Sequence, residues 1–124
     1  MTFALRIAVL LLLMCATARA QEIETGVNVI CDTRQQAERI AALLEGDTQV
    51  AIGTVNAEAR DPTACAMLNV AYVRGAKVGT ARSKAGTFDI VEVLVVGYVS
   101  QAGRVQLAKK ALYFALFKVE EQDA

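Results

Sequence analysis

The sequence predicts an α+β domain: a small antiparallel β-sheet of four to five strands, ordered β-α-α-β-β-β-β along the chain, with one or two helices on one face and one disulfide. Three observations carry this. A helical apolar period runs from Ala37 to Leu44, and a period of two governs most of the chain after Cys65. The turns between the later strands are too short for parallel crossovers, so those strands form an antiparallel meander. Helices come early and strands late, which is the α+β order.

The first twenty residues are set apart from this domain. Arg6 gives a positive start, Ile7 to Met14 is an unbroken apolar run, and Ala18-Arg19-Ala20 is a small-residue cleavage motif. That order is a secretory signal peptide, with the mature protein beginning at Gln21. The run is too short to cross a bilayer core, which takes about 20 apolar residues. A lipoprotein reading centred on Cys15 is opposed by Met14, because a lipobox wants a small residue there. The expectation is residues 1–20 as signal and 21–124 as one domain, exported to the periplasm or beyond.

Removing the leader changes two counts. Arg6 and Arg19 go with no acid, so the mature chain carries 11 basic and 13 acidic side chains, net about −2. A general nucleic-acid binder would be clearly basic. Cys15 also goes, leaving Cys31 and Cys65, an even pair in an oxidising compartment and therefore a disulfide. Closing a loop of about 35 residues stabilises a fold by roughly 3–4 kcal/mol in the chain-entropy account.

The elements follow in order. Gln21 to Gly26 reads as a polar lead-in. Val27 to Cys31 is a β-branched strand. Asp32 with Gln35 suggests a capping box for a first helix, whose apolar face is Ala37, Ile40, Ala41 and Leu44. Gly46 ends it. Asp47 caps a weaker second helix, Thr48 to about Ala59, with Val50, Ala51, Val55 and Ala59 as a partial apolar stripe, and Asp61-Pro62-Thr63 stops it. Met67 to Arg74 is a strand, Gly75-Ala76 a turn, Lys77 to Arg82 a short polar strand, and Ser83 to Gly86 a second turn. Thr87 to Val99 is the longest strand. Gln101 to Gly103 is a linker, and Ala111 to Glu121 is the last strand.

The two longest strands are apolar on both faces. Val91, Val93 and Val95 alternate with Leu94 and Val96, and Leu112, Phe114 and Leu116 alternate with Tyr113, Ala115 and Phe117. Such strands are buried on both sides. Two short helices cover one side only. Either the sheet curls so that its second face becomes a core of its own, or another molecule covers that face. The second route makes Leu94, Val96, Leu112, Phe114 and Leu116 candidate interface residues and predicts a homodimer.

Chemistry is narrowed mainly by what the chain lacks. It has no histidine, so no Ser-His-Asp triad, Cys-His pair or histidine-ligated zinc is available. Ser83 and Ser100, the two serines, fall in turns, and no phosphate-binding glycine loop occurs. No catalytic residue, metal or cofactor is therefore expected. Asp89 and Glu92 are three apart on one strand and so face opposite ways. Glu92, between Ile90 and Leu94, is a candidate desolvated carboxyl for a carboxylate-based hydrolase; an ion pair with Arg82, Lys77 or Lys110 is the simpler reading. Between Pro62 and Phe88 there is no acid, while Arg74, Lys77, Arg82 and Lys84 are basic. Those four form a candidate anion-binding hairpin, or else a solvated hairpin balanced by Glu120, Glu121 and Asp123. The leading expectation is a non-enzymatic exported protein that binds a protein partner or itself.

Overall fold

The computed structural model describes residues 22–120. The signal peptide, its cleavage after Ala20 and the acids Glu121 and Asp123 lie outside the described residues. Strand β1 (Ile23–Cys31) leads into helix α1 (Arg34–Leu43) and helix α2 (Thr48–Ala59). Strands β2 (Cys65–Ser83), β3 (Gly86–Val99) and β4 (Val105–Lys118) follow. The sheet order is β1-β2-β3-β4, antiparallel throughout, and it closes through a short β1–β4 contact at Ile30↔Ala115 and Cys31↔Phe114.

Helix α1 begins one residue later than its sequence suggests. Thr33 is the N-cap: its Oγ1 accepts from the Gln36 N–H at 3.2 Å, and Gln36 Oε1 accepts from the Thr33 N–H at 3.1 Å. Asp32 is cap-competent too, but its N–H donates to the Ala64 carbonyl at 2.9 Å. That bond holds Asp32 in the extended β1–β2 pairing, so the cap passes to the next residue. Helix α2 is present as expected. Asp47 Oδ1 accepts from the Gln49 N–H at 2.9 Å, and Arg60 ends the helix in the left-handed region at φ 53°. Its buried face is Ala51, Ile52 and Val55. Val50 and Ala59, expected on that face, are exposed.

The two strands read from 67–74 and 77–82 are one strand, β2, and Gly75-Ala76 is not a turn. The ladder to β3 shifts register between Arg74 and Lys77 and again between Lys77 and Gly79. At Gly75 the Glu92 carbonyl oxygen comes so close that a Cβ would lie 2.7 Å from it. The glycine therefore marks an irregular bend within a continuing strand rather than a reversal. The reversal itself is at Lys84-Ala85, where Gly86 follows with φ 130°. The linker at 101–103 is a tight hairpin: the Ser100 N–H donates to the Arg104 carbonyl and the Gly103 N–H to the Ser100 carbonyl, each at 2.9 Å. With the turn that short, β4 starts at Val105 rather than Ala111.

The question of the second sheet face is answered by curling. One side of the sheet, with Val29, Cys31, Cys65, Ile90 and Leu116, packs under Ala37, Ile40, Ala41, Leu44, Ala51, Ile52 and Val55 of the helical layer. The other side closes on itself around Ile30, Val70, Tyr72, Val91, Val93, Val95 and Ala115. Leu68, Tyr113 and Phe117 pack against that inner core. Both faces of β3 and of the last turn-distal part of β4 (Ala115 and Leu116) are thereby covered within one chain, while Val105, Leu107 and Leu112 of β4 stay exposed.

Tight curvature needs a place where backbones approach without side chains between them. Gly97 is one. A Cβ there would lie 2.4 Å from the Gln106 carbonyl oxygen, and the β3–β4 register slips between Val95 and Gly97. We expect Gly97→Ala to destabilise the fold by about 1–3 kcal/mol, since backbone on β4 must shift to admit the methyl group. A urea midpoint within error of wild type would show that the approach is not needed.

Cys31 and Cys65 stand opposite one another in the β1–β2 register and form the expected disulfide, with both residues buried. Asn56 of α2 adds a tie that composition does not reveal. Its Nδ2 donates to the Pro62 and Cys65 carbonyls at 3.0 Å, and its Oδ1 accepts from the Cys65 N–H at 2.8 Å.

Candidate binding surface

The basic hairpin is not gathered into one cradle. Arg74 Nε and Nη2 donate to the two Glu24 oxygens, each at 3.1 Å, and its guanidinium lies 3.9 Å from the Phe117 ring centroid. The Glu24 bond, against an opposing effect of burial, holds Arg74 above the usual arginine range, so it stays charged at any accessible pH. Lys77 Nζ is 3.9 Å from Asp89 Oδ1, which also accepts from Thr80 Oγ1 at 3.2 Å. Lys84 Nζ is 3.5 Å from Glu45 Oε1. Arg82 is exposed near the hairpin tip. Arg74, Lys77 and Lys84 thus already face carboxylates of this chain. Tyr72, the aromatic beside them in sequence, is buried in the inner core and offers no stacking surface.

The carboxylates are separated as their spacing requires. Asp89 pairs with Phe117 on the inner side, and Glu92 pairs with Phe114 on the outer side. No hydrogen bond or ion pair engages the Glu92 carboxylate among the described residues. Ser83 and Ser100 serve their turns, accepting from the Ala85 and Arg104 N–H groups at 3.2 and 3.3 Å.

The five candidate interface residues divide. Leu116 is buried under the helices and Phe114 packs against the same cluster. Val96 is buried where the β3 register slips. Leu94 and Leu112 pair directly across β3–β4 on the outer side, beyond the helical layer. They belong to a row that crosses the whole sheet: Ile23 pairs with Val73, Val73 with Leu94, and Leu94 with Leu112. Directly paired residues project from the same face, so the row is one apolar band. Its ends are open, with Ile23 59% and Leu112 60% exposed. Residues 23–26, expected as part of a polar lead-in, are the first half of β1, and the polar neighbours Glu22, Glu24 and Thr25 mask Ile23 as a strand residue. Its clue was the alternation Ile23, Thr25, Val27.

The band ends at an open edge. β4 meets β1 only at Phe114 and Ala115. From Val105 to Tyr113 it has β3 on one side and, among the described residues, no strand on the other. Leu107 on this edge is 83% exposed. Arg104, Lys109 and Lys110 stand there without an ion pair among the described residues, and the chain has no acid between Val93 and Val119.

A second concavity opens at one end of the curled sheet. It encloses about 310 Å³ and is lined by Ile30, Ala66, Leu68, Val70, Val95, Tyr98 and Tyr113, with Asp32 and Thr63 also on its wall. Ile30, Val70 and Val95 belong to the inner core, so the cavity is a continuation of that core toward solvent.

Among the described residues no group of three or more acidic or cysteine side chains is placed to hold a metal ion, and no helix is long and apolar enough to cross a membrane. No protein-family model, curated protein or solved structure matches the chain.

Proposed function

We propose that this chain is an exported, non-enzymatic binding protein, and that its partner is another polypeptide that lays an extended, acidic segment beside β4. The observation that carries this is the open edge Val105 to Tyr113, which ends the apolar band Ile23–Val73–Leu94–Leu112. An added strand satisfies the free backbone groups of an edge and extends its side-chain rows by one position. Here that position lies next to Leu112.

The charge on the edge chooses between occupants. Exposed lysines on an edge strand discourage indiscriminate pairing. Two copies of β4 brought together would add the cations of both edges, whereas an acidic strand would neutralise them. This favours a different chain over the homodimer that apolar excess alone suggests. The non-enzymatic reading rests on the lack of histidine and on two serines committed to turns. The export reading rests on the leader and is consistent with the disulfide.

The test uses the disulfide-bonded protein and an eight-residue peptide of alternating valine and glutamate. We expect amide shifts concentrated at residues 105–113, weakened at least fivefold by Lys109→Glu with Lys110→Glu. N-methylation of alternate peptide bonds should abolish them. Binding that ignores both changes would overturn the reading. So would sedimentation equilibrium showing a dimer that the double charge reversal leaves intact.

A further inference from the structure

The cavity at the end of the curled sheet has a chemistry separate from the β4 edge. Its floor is aliphatic: Ile30, Leu68, Val70 and Val95. Two tyrosines, Tyr98 and Tyr113, stand on its wall, and Asp32 is its one charged residue. No lysine or arginine lines it, so its one formal charge is the Asp32 carboxylate, carried by an exposed residue on the rim. Among the described residues no hydrogen bond or ion pair engages the Asp32 carboxylate or either tyrosine hydroxyl, and neither ring packs against another ring. By contrast Tyr72, deeper on the same side, is paired with Phe117 at 6.0 Å. The two outer tyrosines are thus left with free surface at the mouth of an apolar cup.

Aromatic rings attract cations through their quadrupole, by about 0.5–1 kcal/mol at exposed sites and more where water is excluded. A carboxylate adds a direct charge, and an aliphatic floor rewards methyl or methylene groups. Together these select a ligand that is positive at one end and apolar around it. The size limits it further. About 310 Å³ is at the small end of ligand pockets, which run from ~300 to 1,000 Å³.

We propose that this cavity binds a small organic cation, an alkylated amine or quaternary ammonium compound, with Asp32 facing the charge and Tyr98 and Tyr113 flanking its apolar groups. Thr63 is already engaged with Asp61, its Oγ1 donating to Oδ1 at 3.0 Å, and is a rim residue rather than a recognition group. Asp32 holds its place through its backbone, whose N–H bonds Ala64, so its side chain is replaceable without touching that anchor.

The test is a titration of the disulfide-bonded protein, followed by amide and methyl shifts of Ala66, Leu68, Val70 and Val95. Three probes differ in charge at nearly constant shape: choline, its uncharged carbon isostere neohexanol, and the anion tert-butylacetate. We expect saturable binding of choline, at least tenfold weaker binding of neohexanol, and none of tert-butylacetate. Asp32→Asn should weaken choline at least tenfold while leaving neohexanol unchanged. Tyr98→Phe should keep choline binding, and Tyr98→Leu should weaken it at least threefold. Tyr98 is half-open to solvent, so neither change should unfold the sheet. Equal binding of choline and neohexanol would overturn the proposal. So would an Asp32→Asn variant that binds choline as wild type does, or no choline binding to the native fold at all.

Discussion

Replacing both cysteines by alanine is expected to lower unfolding stability by about 2–5 kcal/mol. The bridge closes a long loop that holds both helices, and each sulfur is fully enclosed by the outer core, with Cys31 and Cys65 at or near zero exposure. Two effects therefore combine: the unfolded chain gains freedom, and the buried packing around both sulfurs is lost. Urea unfolding of the double variant against wild type, both followed by far-ultraviolet circular dichroism, measures the loss. Because the bridge constrains the unfolded state, the double variant should also show a larger dependence of stability on urea. A loss under 1 kcal/mol would mean that the cross-strand pairing of β1 and β2 holds the helical excursion by itself.

Ile40→Ala is expected to cost about 2–5 kcal/mol, the range for deleting most of a fully buried aliphatic side chain. Ile40 has no exposure, and it sits on the α1 face that packs on Cys31, Cys65, Ile90 and Leu116. Its neighbours on the same α1 face, Ala37 and Ala41, contribute only methyl groups, which leaves Ile40 as the largest fully buried side chain of the helical layer. The remaining structure has little to collapse into the space, because the sheet beneath is already bent tightly. Ile40→Val should cost about 0.5–1.5 kcal/mol. Thermal and urea unfolding of the pair check both figures, and equal losses for the two variants would count against a filled, rigid interface.

The apolar patterns gave away more of this fold than the polar ones. Helix α1 was legible because Ala37, Ile40, Ala41 and Leu44 keep strict helical spacing, and the disulfide because Cys31 and Cys65 are the two cysteines of the expected mature domain. Helix α2 was legible from Asp47 and Pro62, although its buried residue Ile52 was missed in favour of Val50. The caps and turns were harder. Asp32 and Thr33 are both good caps, and only a backbone bond to Ala64, distant in sequence, decides between them. Gly75-Ala76 has the composition of a turn, and only the approach of Glu92 shows it to be a bend within a strand. The apolarity of β3 and β4 on both faces was visible, but it allowed either a dimer or a curl. Curvature follows register slips near Tyr72, Gly75, Gly79 and Gly97, and a glycine inside a strand does not by itself say whether the chain turns, bends or curls there. The cavity was out of reach too. Asp32, Tyr98 and Tyr113 belong to three separate segments, and only closure of the sheet brings them to one wall.

The position of the disulfide has a topological consequence. Its two ends lie side by side on adjacent strands, and the whole helical layer is the segment between them. Residues 31 to 65 are therefore a covalent ring from which the rest of the sheet extends. A protease that cuts once anywhere within 32–64, for instance at the exposed Glu45-Gly46-Asp47 link between the helices, opens the ring without dividing the molecule. The cut protein keeps its mass, increased only by one water, and the new ends remain tethered to β1 and β2. A cut in the β3–β4 hairpin near Gln101 has no such safeguard and releases a separate β4 peptide on unfolding. In a protease-rich compartment, the helical half tolerates nicks that the last hairpin does not.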